Sequence, residues 1–322
     1  MAIQTGLDTV NMLEEYHRRP DPHEGKKLEI PGDMSLDKYG DSLHSRAIDA
    51  GITLVDGMGF APGLTNVTLG DGIDKMDTVR KAIARAGGIP TKEASKNHPL
   101  RYTVTWAFWH VLREYTLSVK IRKNGKVVEA EPISDLERFK FKQFGKDEEL
   151  ECVVTPGMPS FIYTRPQLDY FAEKTIRWPG HWQSIQTLNE CGMLDQTPVD
   201  FKGEKIAPRE FLSSLITPKL QPFEGETDIC VMYNTLIGEK DKKKMKIEYF
   251  MWDEADTING ISSMARVTGF PVAVTAKLLL QKKIKEKGIV PPEDCIKGKL
   301  YMEFMQELKK RNVIIREVST LM

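Results

Sequence analysis

Cysteine, histidine, net charge and long apolar runs are all scarce in this 322-residue sequence. The four cysteines, Cys152, Cys191, Cys230 and Cys295, lie far apart with no CxxC pair. That spacing excludes a zinc knuckle or a disulfide framework and fits a reducing cytoplasm. His17, His23, His44, His98 and His110 form no ligand spacing with a cysteine or an acid, so no metal is assigned. Lysine and arginine number 46, as do aspartate and glutamate. No net basic field draws the chain to nucleic acid or anionic lipid, and Lys242–Lys244 reads as a solvated hairpin tip. The most apolar run, Phe270 to Leu280, is broken by Lys277 and falls short of the roughly 20 residues that span a bilayer. Asp8, Glu14 and Glu15 come early, with no apolar core of signal-peptide length. There is no internal repeat and no low-complexity tract. The expectation is a cytoplasmic protein without a membrane or nucleic-acid partner. A hydrophobic content of 40% is ample for a buried core, and the length suits two domains or one large one.

What is present has two characters. Residues 8–12 read as a short buried strand, and 17–34, rich in Pro and Gly, as a surface loop. SLHSRAIDAG reads as a helix capped by Asp41 or Ser42 and closed by Gly51, followed by a strand, Ile52 to Val55. Strand, helix, strand is a parallel α/β unit. Between about 100 and 255 the pattern changes to hairpins. VKIRKNGKVVEAE carries Asn124-Gly125 between alternating runs. RFKFKQF alternates as a half-exposed strand, and DICVMYNTLIGEKDKKKMKIEYFMW is a second hairpin with 239–246 at its tip. WQSIQTLNECG is a helix ended by Gly192. The sequence then turns helical through SMARVTGFPVAVTAKLLLQKKIKEKG, stopping at Gly288. YMEFMQELKKRN is a further helix and VIIREV a last strand.

LVDGMGFAPGLTN, Leu54 to Asn66, is a strand running into a glycine turn. A dinucleotide fingerprint needs GxGxxG with an acid about 20 residues on. Here Gly57 and Gly59 are followed by Gly63, one residue too far, and Pro62 lacks a donor where one would be wanted. Two readings remain: a turn that needs glycine for its shape alone, or a loop lining the crevice at the carboxyl end of a parallel strand.

DAGITLVDGMGFAPGLTN resembles the saccharopine dehydrogenase-like family, which includes saccharopine reductase and lysine 6-dehydrogenase. HPLRYTVTWAFWHVLREY (98–115), TIRWPGHWQSIQTLNECGMLD (175–195) and SSMARVTGFPVAVTAKLLL (262–280) follow in that family's order. The resemblance covers nearly the whole chain, most clearly from Asp41 onward, and looks nearest to the lysine 6-dehydrogenase-like branch. It also bears on residues 77–90, where Val79, Ala82, Ile83 and Ala86 have helical spacing: the resemblance and GGIP favour a strand there. One departure is large. Family members begin with a βαβαβ half carrying GxGxxG, whereas MAIQTGLDTVNM is similar to the segment after that half. A misplaced start, a fragment, or a separate chain supplying that half would each account for it.

The resemblance implies an α/β architecture: a partial Rossmann-type domain from residues 1–95 with 260–322, and a mixed α+β substrate-binding and dimerisation domain from 96–259. It implies an oxidoreductase that passes hydride between NAD or NADP and a C–N bond of lysine or a lysine-derived amino acid. A homodimer built mainly through the sheet of the middle domain is expected as well, because its alternating hairpins would otherwise leave an apolar face or edge exposed. Gly57, Gly59, Phe60, Ala61, Pro62, Gly63 and Asn66 are the expected cofactor-facing residues. Arg177, Trp178, Tyr102 and Arg266 are expected at the substrate, and His181 as the proton-handling group. Each has a plainer reading: an ion pair for Arg177, a helix-start hydrogen bond for His181, core packing for Tyr102 and Trp106, a helix start for Arg266. A module without catalysis, kept for dimerisation or regulation, is the alternative for the whole chain, as is one half of a split enzyme.

Overall fold

The computed structural model describes residues 1–20, 30–32 and 34–322. Residues 21–29 and 33 of the stretch read as a surface loop lie outside the described residues. In chain order the strands are β1 (Thr9–Val10), β2 (Thr53–Val55), β3 (Thr78–Pro90), β4 (Val119–Lys123), β5 (Lys126–Ala130), β6 (Glu137–Phe141) and β7 (Glu148–Val154). They continue as β8 (Tyr170–Arg177), β9 (Val199–Phe201), β10 (Glu204–Ile206), β11 (Asp228–Lys240), β12 (Lys243–Glu254), β13 (Gly288–Val290) and β14 (Arg316–Leu321). The main helices are α1 (Leu36–Asp49), α2 (Leu64–Asp74), α3 (Phe108–Glu114), α4 (His181–Glu190), α5 (Pro208–Ile216), α6 (Ser263–Leu280) and α7 (Lys299–Lys309).

The fold is α/β. A small parallel sheet runs β1-β2-β13, and a large mixed sheet runs β14-β12-β11-β3-β8-β4-β5, with β7 on β8 and β6 on β7. One apolar cluster joins the two sheets. It contains Val55 and Val290 of the small sheet, Leu64 and Val67 of α2, Val267 and Val274 of α6, and Ala84 and Ala86 of β3.

Several elements follow the sequence closely. Asn124 and Gly125 both have positive φ, 53° and 72°, as a two-residue hairpin turn demands, and β4 and β5 pair across them. Residues 78–90 form a strand. From Ala82 onward it is buried on both faces, which removes two-residue alternation and leaves a misleading helical spacing.

The departures have local causes. α1 begins at Leu36, not after Asp41, because Ser35 accepts from the Lys38 amide; Asp41 instead binds Arg18 and Arg19 at 2.8 and 2.9 Å. α6 stops at Leu280. Lys282 takes a φ of 53° and the Lys283 amide returns to the Leu278 carbonyl, a left-handed helix end. Gly288 therefore opens β13 and does not close a helix. Tyr102 and Trp106, whose alternation reads as a strand or its approach, lie outside any strand, and α3 follows them. β14 starts at Arg316, since Val313 turns into the core. Residues 78–90 and 316–321, grouped from sequence with the Rossmann-type part, hydrogen-bond within the large sheet.

Candidate functional site between the two sheets

β1 and β2 are parallel neighbours, so the loops that follow them emerge at one carboxyl edge, where open α/β sheets place ligands. Asp56 ties the loops together. Its carboxylate accepts from Asn11 Nδ2 and from the His17 amide, each at 2.8 Å. Gly57 has a φ of 81°, and its amide bonds Asn11 Oδ1 at 3.1 Å. Gly63 has a φ of 131°, and a Cβ there would collide with the Gly59 backbone. Its amide is capped by Asn66 Oδ1 at 2.9 Å. This pins residues 59–62 as a bare backbone ridge.

Facing that ridge is the large sheet. Period-two alternation on β8 puts Glu173, Thr175 and Arg177 on one face. On β3, Ala84 is in register with Glu173 and Ala86 with Thr175. These small residues leave open space above the sheet. The result is a cavity of about 470 Å³, within the range of small-molecule sites. Gly59, Phe60, Ala61 and Pro62 form one wall and Glu173, Thr175 and Arg177 the other. Glu14 from the loop after β1 and Glu114 from α3 line it as well, as do Ser262 and Thr268 at the start of α6.

Arg177 is buried at 3% exposure. Its Nε and Nη2 donate to the Tyr115 hydroxyl at 3.2 and 3.1 Å, and Nη1 donates to the Ile176 and Gly88 carbonyls at 2.9 and 3.5 Å. The guanidinium also sits 5.0 Å from the Tyr102 ring centre. A two-pronged carboxylate grip therefore requires Tyr115 to release it. His181 stands behind Tyr115, outside the cavity lining. Its Nδ1 donates to the Leu100 carbonyl at 2.8 Å, so its Nε2 accepts from the Tyr115 hydroxyl at 3.1 Å. Burial, then the nearby Arg177 charge, pushes the imidazole down to about 3. It is neutral near pH 7 and orients Tyr115.

The structure thus brings Gly59, Phe60, Ala61, Pro62 and Arg177 to one cavity and holds other expected residues away from it. The Trp178 indole donates to the Pro90 carbonyl at 2.8 Å and packs in a core with Ile89 and Ile176. Tyr102 is fully buried beneath Arg177. Arg266 turns to Asp253, Nε and Nη2 reaching its two oxygens at 3.1 and 3.2 Å. Asn66, besides its cap, donates to Glu293 at 2.8 Å.

Of the four carboxyls lining the cavity among the described residues, none is expected at a site from the sequence, and three are perturbed. Burial raises both Glu14 and Glu114 above the usual carboxyl range, and the two hydrogen-bond each other, as paired acids sharing one proton do. Glu173 Oε2 accepts from Thr155 Oγ1 at 2.6 Å and from the Gly157 amide at 3.1 Å. Burial nevertheless pushes its carboxyl up to about 8. The signal available in the sequence was the two-residue spacing of Glu173, Thr175 and Arg177.

Residues 59–314 match the saccharopine dehydrogenase C-terminal domain family. The bovine mitochondrial alpha-aminoadipic semialdehyde synthase is 23% identical over 87% of this chain, which spans 37% of that protein. The saccharopine dehydrogenase [NADP(+), L-glutamate-forming] of Pyricularia oryzae is 24% identical over 84% of this chain and 74% of its own length. Carboxyaminopropylagmatine dehydrogenase of Synechocystis is 21% identical over 76% of this chain and 61% of its own length. Apo saccharopine dehydrogenase (L-Glu forming) of Saccharomyces cerevisiae superposes over 99% of this chain and 81% of that one, with a TM-score of 0.73 at 20% identity, which establishes a shared fold. Matched over most of its length, the chain belongs to the saccharopine dehydrogenase C-terminal domain family.

Proposed function

We propose that the chain carries the substrate side and the nicotinamide-facing loop of an NAD(P)-dependent oxidoreductase acting on a C–N bond of lysine or a lysine-derived amino acid. The observation that carries this reading is the cavity with a backbone ridge, Gly59 to Pro62, on one wall and the polar face of β8 on the other. The relatives named for NADP-linked saccharopine chemistry support it.

The residues present fit a nicotinamide ring. At Gly59 a Cβ would lie 3.3 Å from both the Pro62 carbonyl and Thr268 Cγ2, so glycine keeps the ridge thin and close to the cavity. When bound, the cofactor supplies a hydride acceptor or donor at ring carbon C4. Gly59, Phe60, Ala61 and Pro62 would hold that ring end. Tyr102 and Tyr115 fix Arg177, and the apolar Met12, Leu13 and Met264 on the lining help exclude water.

No GxGxxG occurs in the 322 residues. In this reading the pyrophosphate grip comes from a further segment, in cis or on a separate chain, and these residues alone bind NAD(P)H weakly. The same absence favours the second reading, a dimerisation or regulatory module without catalysis. Within the first reading residues 96–259 form the substrate and dimer-forming part. Phe211 and Leu215, one turn apart on α5, are exposed, which supports a homodimer, checked by light scattering at micromolar concentration. The deciding experiment follows reduced nicotinamide with lysine, then saccharopine, as substrate, with and without an added GxGxxG segment. Turnover that appears with that segment supports the enzyme. No turnover in any combination supports the module.

A further inference from the structure

We propose that Glu173 receives the amino nitrogen of the substrate, its Oε1 forming a charge-assisted hydrogen bond to an alkylammonium group in the cavity. The proposal rests on reading this cavity as the substrate site. Glu173 is 4% exposed, and its two oxygens are treated differently. Oε2 takes the Thr155 hydroxyl and the Gly157 amide. Oε1 has no protein donor within hydrogen-bond reach among the described residues, and the side chain lines the cavity wall. A buried carboxyl held firmly by one oxygen and open at the other is suited to a ligand that donates.

The surrounding charges say what kind of ligand. The cavity is lined by Glu14 and Glu15 from the loop after β1, by His110, Arg113 and Glu114 from α3, and by Arg177 on the strand of Glu173 itself. Arg177 directs its donors to Tyr115, Ile176 and Gly88. Among the described residues the lining has, with Glu173, four carboxyl groups against two guanidinium groups. The lining therefore offers more carboxyl acceptors than guanidinium donors, which suits an amine that donates better than a tricarboxylate that accepts. Gly157 keeps the pocket behind Glu173 tight, since a Cβ there would come within 2.9 Å of the carboxyl carbon.

Burial holds the empty Glu173 carboxyl protonated near neutral pH. Arrival of an alkylammonium favours the carboxylate, and the carboxyl proton leaves to solvent. The step is a proton displacement that forms an ion pair and needs no oxidant.

The probes are L-lysine and L-norleucine, which share a backbone and chain but differ in the terminal amine. Titration calorimetry of the full chain near pH 7, repeated in buffers of different ionisation enthalpy, reads affinity and proton release together. The unmutated chain is expected to bind lysine about tenfold or more tighter than norleucine and to release about one proton per lysine bound. Glu173→Gln keeps the shape and the Thr155 contact. It is expected to lose both the discrimination and the release. Discrimination that survives in E173Q, or an unmutated chain with neither discrimination nor release, overturns the proposal. The release is read on the unmutated chain, so it stands even if the variant fails to fold. Lysine-linked proton release with no nicotinamide turnover, even when a GxGxxG segment is added, would refute the oxidoreductase reading and leave Glu173 in its role.

Discussion

The two walls of the cavity are built by opposite means. The ridge after β2 offers backbone, shaped by Gly57 and Gly63 at positive φ and stitched by Asn11, Asp56 and Asn66. The β8 wall offers side chains from a strand covered on both faces. A backbone wall is written in glycine and proline, residue types whose conformational meaning is local. A side-chain wall depends on partners far away in the chain. Glu173 is held through Oε2 by Thr155 and Gly157, and its neighbour Lys174, on the opposite face, by Asp135 and Glu137.

The comparison can be broken most severely on the ridge. Gly63→Ala places a Cβ against the Gly59 backbone at a φ that side chains rarely adopt. The expected loss is on the order of 4 kcal/mol, read as a fall in the urea midpoint, and it should be accompanied by loss of ligand binding. A variant within 1 kcal/mol of the parent, an about-threshold difference for such a clash, would mean that the ridge is not rigid.

On the other side, two arginines separate structure from site. Arg266→Ala removes the partner of a buried carboxylate, Asp253, and should cost about 3–5 kcal/mol in the same urea experiment. Any binding that remains in the folded fraction should be unchanged, because Arg266 does not line the cavity. Tyr115→Phe takes away the oxygen that accepts from Arg177 and the hydroxyl that donates to His181. The expected cost is smaller, about 1–3 kcal/mol, and carboxylate affinity should rise as the Arg177 fork is released. Calorimetry with norleucine measures that rise.

A further effect expected is one of pH. Folding raises the Glu173 carboxyl from 4.5 to about 8, so the folded chain binds more protons than the unfolded one in that window. The stabilisation is complete below pH 4.5 and fades as pH rises through about 8. E173Q should flatten this slope relative to the parent. His181 acts at lower pH and in the opposite sense. Its folded value of about 3 lies below 6.5, so stability falls as pH drops through that interval. Denaturation followed at a series of pH values checks both signs.

Legibility in the sequence tracks the same division. LVDGMGFAPGLTN marked the strand and the turn, and Asn124-Gly125 marked its hairpin, because each signal is contained in a few adjacent residues. β13 was illegible: three residues, Gly288–Val290, after a lysine-rich tail complete a parallel sheet begun at Thr9. His181 and Arg266 drew notice as charged or titratable residues in motifs. Whether such a side chain meets a cavity or a buried partner is decided by tertiary contacts, here Tyr115 with Leu100 and Asp253. Glu14, Glu114 and Glu173 converge from a loop, a helix and a strand, and no single window of sequence contains them.

Hydrogen exchange of the chain with L-lysine and NADPH added together tests the cavity assignment most directly. Slowed exchange confined to residues 12–15, 57–63 and 173–177 is the result this account predicts. Protection instead along the groove between α3 and α5, at Trp109, Ser213 and Ser214, with none at the ridge or β8, would contradict it.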